Sequence, residues 1–111
     1  MLPFEFTEGC AISEYDEIYV IGGTQNDEFF SKNTWFAPRE NMQYWDQGPN
    51  LIEGRNMMAC TNLPIWDIGI ITGGFNENGA LKTTEIFENG RFKMGKKICI
   101  ILMFSIDEIL F

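Results

Sequence analysis

The sequence predicts an all-β chain built from repeated four-stranded antiparallel sheets, and three observations lead to this prediction. Short runs rich in β-branched and aromatic residues alternate with clusters of Gly, Asn, Asp and Pro. No segment keeps apolar residues at helical spacing over three turns. The pattern of the first half recurs about 50 residues later, and four short strands at that period are typical of a β-propeller blade.

The repeat is clearest at two glycine pairs, each of which follows an apolar run. Gly22 and Gly23 end the first run, and Gly73 and Gly74 end the second. Each pair is followed downstream by an aromatic residue and a glycine, and the chain ends with residues 107–111, which echo residues 16–20. We therefore divide the chain into a first repeat (1–54), a second repeat (55–97) and the beginning of a third (98–111).

Each complete repeat is predicted to contain four strands, because β-branched and aromatic residues fill four short runs between turn residues. The predicted strands are 10–13, 17–21, 33–36 and 43–46 in the first repeat, and 58–63, 68–72, 83–87 and 91–94 in the second.

Taken together, these features resemble the kelch repeat. The resemblance is carried by the double glycines Gly22-Gly23 and Gly73-Gly74 and by the aromatic residue that opens the last strand, Trp45 or Phe92. A Gly-Pro-x-Leu motif at Gly48-Pro49-Asn50-Leu51 and an arginine that begins the next repeat, Arg55, complete it. Both repeats depart from the family pattern, since Phe36 in the first and Phe87 in the second stand where kelch repeats usually carry a tyrosine. The second repeat is degenerate, since Phe92 stands in place of a second tryptophan and Gly95 is followed by Lys96 instead of proline. The resemblance implies a partial β-propeller of kelch-type blades.

The marked residues have structural explanations. Gly22, Gly23, Gly73 and Gly74 allow the sharp turn with positive φ after a buried strand, and the spacing of a phosphate-binding glycine loop is absent. Trp45 and Phe92 are expected to supply apolar area between blades. Arg55 is expected to pair with a carboxylate or a carbonyl between blades, because its planar head carries five donors.

Three cysteines occupy equivalent positions in the repeats: Cys10, Cys60 and Cys99. Equivalent atoms of adjacent blades are not expected to come within the roughly 7 Å between Cα atoms that a disulfide requires. We therefore expect buried thiols that act as small hydrophobic side chains.

The charge balance excludes several functions. The chain has 16 acidic and 8 basic residues, a net charge of −8 and no histidine. Binding to nucleic acid is disfavoured by this charge, and catalysis or metal ligation through histidine is excluded. We expect no enzyme activity and no cofactor. Residues 1–54 carry ten of the acids and two of the bases, which indicates either a solvated acidic face or a patch for a basic partner.

No apolar run reaches the roughly 20 residues that a membrane-spanning helix needs. The opening residues lack the pattern of a secretory signal, which favours the cytoplasm.

The kelch resemblance implies a protein–protein interaction module, of the kind that recruits substrates to a ubiquitin ligase or binds actin. By position, it assigns partner binding to the residues after the double glycines and after the arginine: Thr24, Gln25, Asn26, Phe75, Asn76, Glu77 and Met57. The alternatives are a structural fragment that self-assembles into a ring and the remnant of a kelch-like propeller enzyme. Two blades and part of a third cannot close a ring, so we expect uncovered apolar faces, and either further blades or self-association.

Overall fold

The computed structural model describes residues 5–95, and the predicted third repeat with Cys99 lies outside them. Twelve β-strands and one 3₁₀ turn make up the regular structure of this part of the chain. In chain order they are β1 (Phe6–Thr7), β2 (Cys10–Glu14), β3 (Glu17–Ile21), β4 (Thr24–Gln25), β5 (Thr34–Pro38), β6 (Asp46–Gln47), β7 (Ala59–Leu63), the 3₁₀ turn (Pro64–Trp66), β8 (Ile68–Thr72), β9 (Phe75–Asn76), β10 (Gly79–Ala80), β11 (Thr84–Glu88) and β12 (Arg91–Met94).

Two four-stranded antiparallel sheets hold most of these strands. The first has the order β2-β3-β5-β6, and the second has the order β7-β8-β11-β12. The prediction of an all-β chain with four-stranded antiparallel sheets is therefore confirmed. Among the described residues, neither sheet closes on itself.

Three of the eight predicted strands have the bounds that the structure shows. β3, β8 and β12 have the predicted bounds. The last strand of the first sheet is shorter, because β6 contains only Asp46 and Gln47. Trp45 therefore precedes this strand instead of opening it, and its indole Nε1 donates to the carbonyl of Met42 at 2.8 Å.

Two short pairings beside the main sheets are absent from the predicted strands. β1 pairs with β4, and β9 pairs with β10. One strand of each pairing, β4 or β9, directly follows a double glycine. Each strand has two residues, which is too short for a period-two pattern to be recognised.

The two sheets pack face to face, with β2 against β7 and β8. Strand alternation places one side of each strand in the shared core, which contains Ile12, Tyr19, Ile21, Leu51, Met58, Ile71, Phe87 and Phe92. The rings of Tyr19 and Phe87 meet across the interface, with 4.8 Å between their centroids. Full burial of one such side chain stabilises the fold by roughly 1.5–3 kcal/mol, so this core holds the two sheets together.

The double glycines have the backbone conformation that the sequence predicts. Gly22, Gly23, Gly73 and Gly74 have φ of 59°, 73°, 68° and 86°. At Gly23 a Cβ atom would lie 2.5 Å from the backbone nitrogen of Gly9, so both the turn and the close approach of the chain require glycine.

The cysteine prediction is wrong for the first two repeats. Cys10 and Cys60 are joined by a disulfide, with 5.9 Å between their Cα atoms. The physical reason is that β2 and β7 are the first strands of their sheets and pack against each other, so that equivalent positions meet. The bond links two residues that are 50 positions apart.

The far face of the second sheet also differs from the expectation of an uncovered apolar surface. Leu63, Ile68, Ile70 and Ile86 form a second apolar cluster on this face, against which Trp66 packs. All four are buried, and Leu63, the most accessible, is 7% exposed.

Over residues 5–95, helical structure is too short and insufficiently apolar to cross a membrane.

Candidate functional site

Residues that the kelch resemblance assigns to binding lie at one end of the sheet pair. Because β2 and β3 are antiparallel, the β2–β3 turn and the connection after β3 leave the sheet at opposite ends, and the same holds for β7 and β8. We call the end with Gly22-Gly23 and Gly73-Gly74 the double-glycine end, and the end with the β2–β3 and β7–β8 turns the hairpin end.

A buried ion pair organises the double-glycine end. The side chains of Arg55 and Glu85 are both fully buried, and Nη2 of Arg55 lies 2.8 Å from Oε2 of Glu85. Arg55 also donates to the carbonyl oxygens of Gly73 at 3.1 Å and Thr83 at 3.0 Å. Arg55 thus has both kinds of partner expected of it, and it ties the loop after β8 to the segment that enters the second sheet.

Glu85 also binds the backbone of the chain segment that precedes Arg55. Its Oε1 accepts a hydrogen bond from the backbone N–H of Ile52 at 2.6 Å, and its Oε2 accepts one from that of Glu53 at 3.0 Å. Charge-assisted bonds of this kind are stronger than neutral ones. A single carboxylate therefore fixes both the arginine and the chain segment 52–53.

A cleft of about 260 Å³ opens beside this ion pair. It is lined by Phe30, Lys32, Ile52, Glu53, Gly54, Asn76 and Glu77. Residues 51–54 lie close to residues 30–32: the N–H of Leu51 donates to the carbonyl of Lys32 at 2.9 Å, and a Cβ atom on Gly54 would overlap the carbonyl oxygen of Phe30. The walls of the cleft are thus brought together by backbone contacts.

Exposed apolar side chains lie on the segments that line the cleft or adjoin it. Phe29, Met57 and Phe75 are 64%, 62% and 44% exposed, and Ile52 is 43% exposed. Asn56 fixes two of them, because its backbone pairs with Phe75 through two 2.9 Å hydrogen bonds and its side-chain amide donates to the carbonyl of Phe29 at 3.0 Å. We call Phe29, Ile52, Met57 and Phe75 the apolar rim.

Of the three residues predicted after the first double glycine, only Asn26 is exposed. Asn26 lies in the left-handed region with φ of 46°, and its Oδ1 accepts from the N–H of Glu5 at 3.1 Å. Thr24 is half-buried, and its hydroxyl donates to the carbonyl of Phe29 at 3.3 Å.

Gln25 is a structural residue, which removes it from the predicted surface. Gln25 is only 4% exposed. Its Nε2 donates to the carbonyl of Gly22 at 2.7 Å, and its Oε1 accepts from the indole of Trp35 at 3.1 Å. Both ends of the amide are thus used within the first sheet.

The residues predicted after the second double glycine and after Arg55 lie around the cleft. Asn76 and Glu77 line it directly, and Phe75 and Met57 belong to the apolar rim. The N–H of Met57 donates to the carbonyl of Glu8 at 2.6 Å, which holds its backbone against the segment before β2. The structure therefore gathers Met57, Phe75, Asn76 and Glu77 at one place.

The aromatic residues marked as structural differ in their surroundings. Phe92 is buried in the core shared by the sheets, with its ring centroid 4.7 Å from that of Phe87. Trp45 is half-buried on the segment before β6, away from this core.

Sequence reasoning missed Phe29, Ile52 and Lys32, which also belong to the rim or the cleft. Phe29 was recognisable in principle, because it stands with Phe30 inside an otherwise polar loop where nothing predicts a strand. Ile52 and Lys32 carry no such signal, since their proximity depends on how the two connections fold against each other.

The cleft combines apolar and polar groups. The chain contains no histidine, and residues 5–95 contain no group of three or more Cys, Asp or Glu side chains that could hold a metal ion. What the cleft offers is an apolar rim, one amide at Asn76, and the charges of Lys32, Glu53 and Glu77. Aromatic and methionine side chains around a partly polar centre are typical of protein interfaces.

No model of a known protein family matches this chain, and no curated protein matches it.

Proposed function

We propose that this chain is a non-enzymatic binding module that captures a protein partner at the double-glycine end. The observation that carries this proposal is the apolar rim, in which Phe29, Met57 and Phe75 are exposed. Backbone hydrogen bonds hold Met57 and Phe75, and the side chains of Asn56 and Thr24 hold the carbonyl of Phe29. Exposed apolar groups on a rigid support can bind without a large cost of ordering. A cleft with both acidic and basic residues beside them supplies polar contacts to the partner.

We further propose that the two sheets are blades of a kelch-type propeller. Two features support this: both sheets have the same strand order, and they pack face to face with their first strands adjacent. The mass of the protein in solution, together with the coding sequence around this segment, tests the proposal. A defined multiple of the chain mass indicates a ring built from copies, and further repeats in the coding sequence indicate a longer propeller. A monomer without further repeats would contradict it.

Substitution in the apolar rim tests the binding function. Phe75→Ala and Met57→Ala remove exposed side chains without opening the shared core, and truncation of an interface anchor typically costs more than about 1 kcal/mol of binding free energy. We expect at least a roughly fivefold loss in recovery of the partner, measured by quantitative mass spectrometry of proteins captured by the immobilised chain.

Tyr44→Ala is the matched control, because Tyr44 is 69% exposed on the segment between β5 and β6, at the hairpin end. A partner that is lost with Phe75→Ala and Met57→Ala but kept with Tyr44→Ala supports the site. The proposal fails when every captured protein responds equally to all three variants.

A further inference from the structure

A second pocket lies at the hairpin end, away from the apolar rim. It has a volume of about 180 Å³ and is lined by Ser13, Glu14, Tyr15, Asn62, Leu63, Pro64, Asp67 and Ile68. One wall comes from the end of β2 and the other from the 3₁₀ turn between β7 and β8. The pocket therefore lies between the two sheets.

Two hydrogen bonds hold its walls together. The N–H of Ser13 donates to Oδ1 of Asn62 at 3.2 Å, and Nδ2 of Asn62 donates to the carbonyl of Ser13 at 2.6 Å. The walls are thus fixed by contacts between the sheets and do not depend on a ligand.

Glu14 is the unusual residue of this pocket. Strand alternation places it on the same side of β2 as Cys10 and Ile12, so it extends the shared core toward the hairpin end. It is 9% exposed, and its Oε2 is buried with no hydrogen-bond partner among the described residues. A buried carboxylate oxygen without a partner costs free energy, so a donor supplied from outside would stabilise it.

The surroundings of Glu14 are acidic. Burial raises the pKa of Glu14, and the negative charges of Asp67, Glu17 and Glu88 raise it further. The pKa of Tyr19 is also raised, to about 12, by burial and then by Glu17 and Glu14. Glu88 is itself paired with Lys93, whose Nζ lies 2.8 Å from Oε1 of Glu88.

Exposed apolar residues beside this second pocket point to a polypeptide ligand. Tyr15 lines the pocket and is 72% exposed, and Ile65, in the 3₁₀ turn that forms the other wall, is 64% exposed. An exposed aromatic ring beside a carboxylate can hold the aliphatic stem and the cationic head of a basic side chain. A small free cation would make no use of these apolar groups.

We propose that this pocket binds a basic side chain, lysine or arginine, of a protein partner, with its head between Glu14 and Asp67 and its stem against Tyr15. The unpartnered oxygen of Glu14 would accept a charge-assisted hydrogen bond from the cationic head. The site is independent of the apolar rim, so it stands or falls separately from the function proposed above.

The test uses the full chain, labelled with ¹⁵N, and the tripeptide acetyl-Ala-Lys-Ala-amide. We expect saturable chemical-shift changes at the amides of Ser13, Asn62 and Ile68. The same peptide acetylated on the lysine side chain should bind at least about tenfold more weakly, since it lacks the charge. Butylammonium supplies the head and stem alone and should also bind more weakly.

Two variants locate the binding. Glu14→Gln keeps the shape of the side chain and removes its charge, and Asp67→Asn does the same on the other wall, at a left-handed position that asparagine tolerates. Each should weaken binding of the lysine peptide at least about tenfold. Glu28→Gln is the control, because it makes the same charge change in an exposed turn at the double-glycine end and should leave binding unchanged.

Lowering the pH supplies a readout that a nonspecific acidic surface would not give. Protonation of Glu14, which is favoured by burial and by Asp67, Glu17 and Glu88, should release the lysine peptide from the wild type as the pH falls through the raised pKa. The proposal is overturned when the acetylated peptide binds as well as the charged one, when Glu14→Gln and Asp67→Asn bind like Glu28→Gln, or when butylammonium binds as tightly as the peptide.

Discussion

At the double-glycine end, the buried carboxylate of Glu85 accepts hydrogen bonds from the guanidinium of Arg55 and from two backbone N–H groups. At the hairpin end, the buried carboxylate of Glu14 has Oε2 without a partner among residues 5–95. Both groups lie on strands of the same sheet pair and both are removed from water. The same kind of buried side chain is therefore fully hydrogen-bonded at one end of the molecule and incompletely hydrogen-bonded at the other.

The double-glycine end contains the satisfied buried charge, and the hairpin end contains the unsatisfied one. Satisfied buried charges fix a structure rigidly, whereas an unsatisfied one lowers stability and leaves a capacity for binding. The double-glycine end also contains the disulfide between Cys10 and Cys60. In the β2–β3 ladder, Cys10 lies opposite Ile21, the residue before Gly22. Between the sheets at the hairpin end, the structure shows the hydrogen bonds of Asn62 to Ser13.

Removal of Arg55 should have the largest effect on this comparison. Arg55→Ala leaves Glu85 as a buried charge without its cation and removes donors from the carbonyls of Gly73 and Thr83. Breaking one side of a buried pair costs about 3–5 kcal/mol, so we expect the free energy of unfolding to fall by that amount in urea titrations followed by circular dichroism.

Arg39→Ala is the matched control, since Arg39 is exposed and its backbone N–H, not its side chain, bonds to Asp16. It should change stability by no more than about 0.5 kcal/mol. A loss below about 1 kcal/mol in Arg55→Ala would show that the double-glycine end does not depend on the ion pair.

Removal of the disulfide should have the next largest effect. The bond closes a loop of 50 residues, for which restriction of the unfolded chain predicts about 4 kcal/mol as an upper value. We expect Cys60→Ser to lose about 2–4 kcal/mol of unfolding free energy under oxidising conditions.

Reductant provides the internal control for this variant. It should lower the stability of the wild type to that of Cys60→Ser and leave the variant unchanged. Equal stability of the wild type with and without reductant would contradict a stabilising cross-link. Disulfides persist in oxidising compartments, so a measured cross-link in the native protein would argue against the cytoplasmic location that the sequence favours.

The sequence predicts the strands and the turns because both depend on local patterns. The apolar runs that become β3 and β8 and the glycines that follow them are visible without coordinates. The environment of Arg55 follows from the donor count of its side chain, although the sequence does not identify Glu85 as its partner. The family resemblance, and with it the propeller, stays a prediction.

What the sequence does not contain is the distance between the faces of the sheets. The failed cysteine prediction assumed that adjacent blades keep equivalent residues apart, but Cys10 and Cys60 lie on first strands that pack directly against each other. Gln25 is a related case: the kelch resemblance assigns it to a binding surface, but its side chain is buried and accepts a hydrogen bond from the indole of Trp35. Glu14 carries no sequence signal, since a glutamate before a turn is usually solvated.

Neutralising Glu14 should have the smallest and most informative effect. The pKa of Glu14 is raised above its ordinary value of 4.5 when the chain folds. Folding therefore favours the protonated form: the associated stability is fully present below about pH 4.5 and is lost as the pH rises through the raised pKa. Glu14→Gln should keep that stability. We therefore expect its free energy of unfolding to exceed that of the wild type by about 1 kcal/mol at neutral pH and to equal it near pH 4.

Urea unfolding at a series of pH values measures the difference, with Glu28→Gln as the control for loss of one acidic charge. If the two variants show the same pH dependence, Glu14 is not held at a cost in the folded state, and the contrast between the two ends of the molecule disappears.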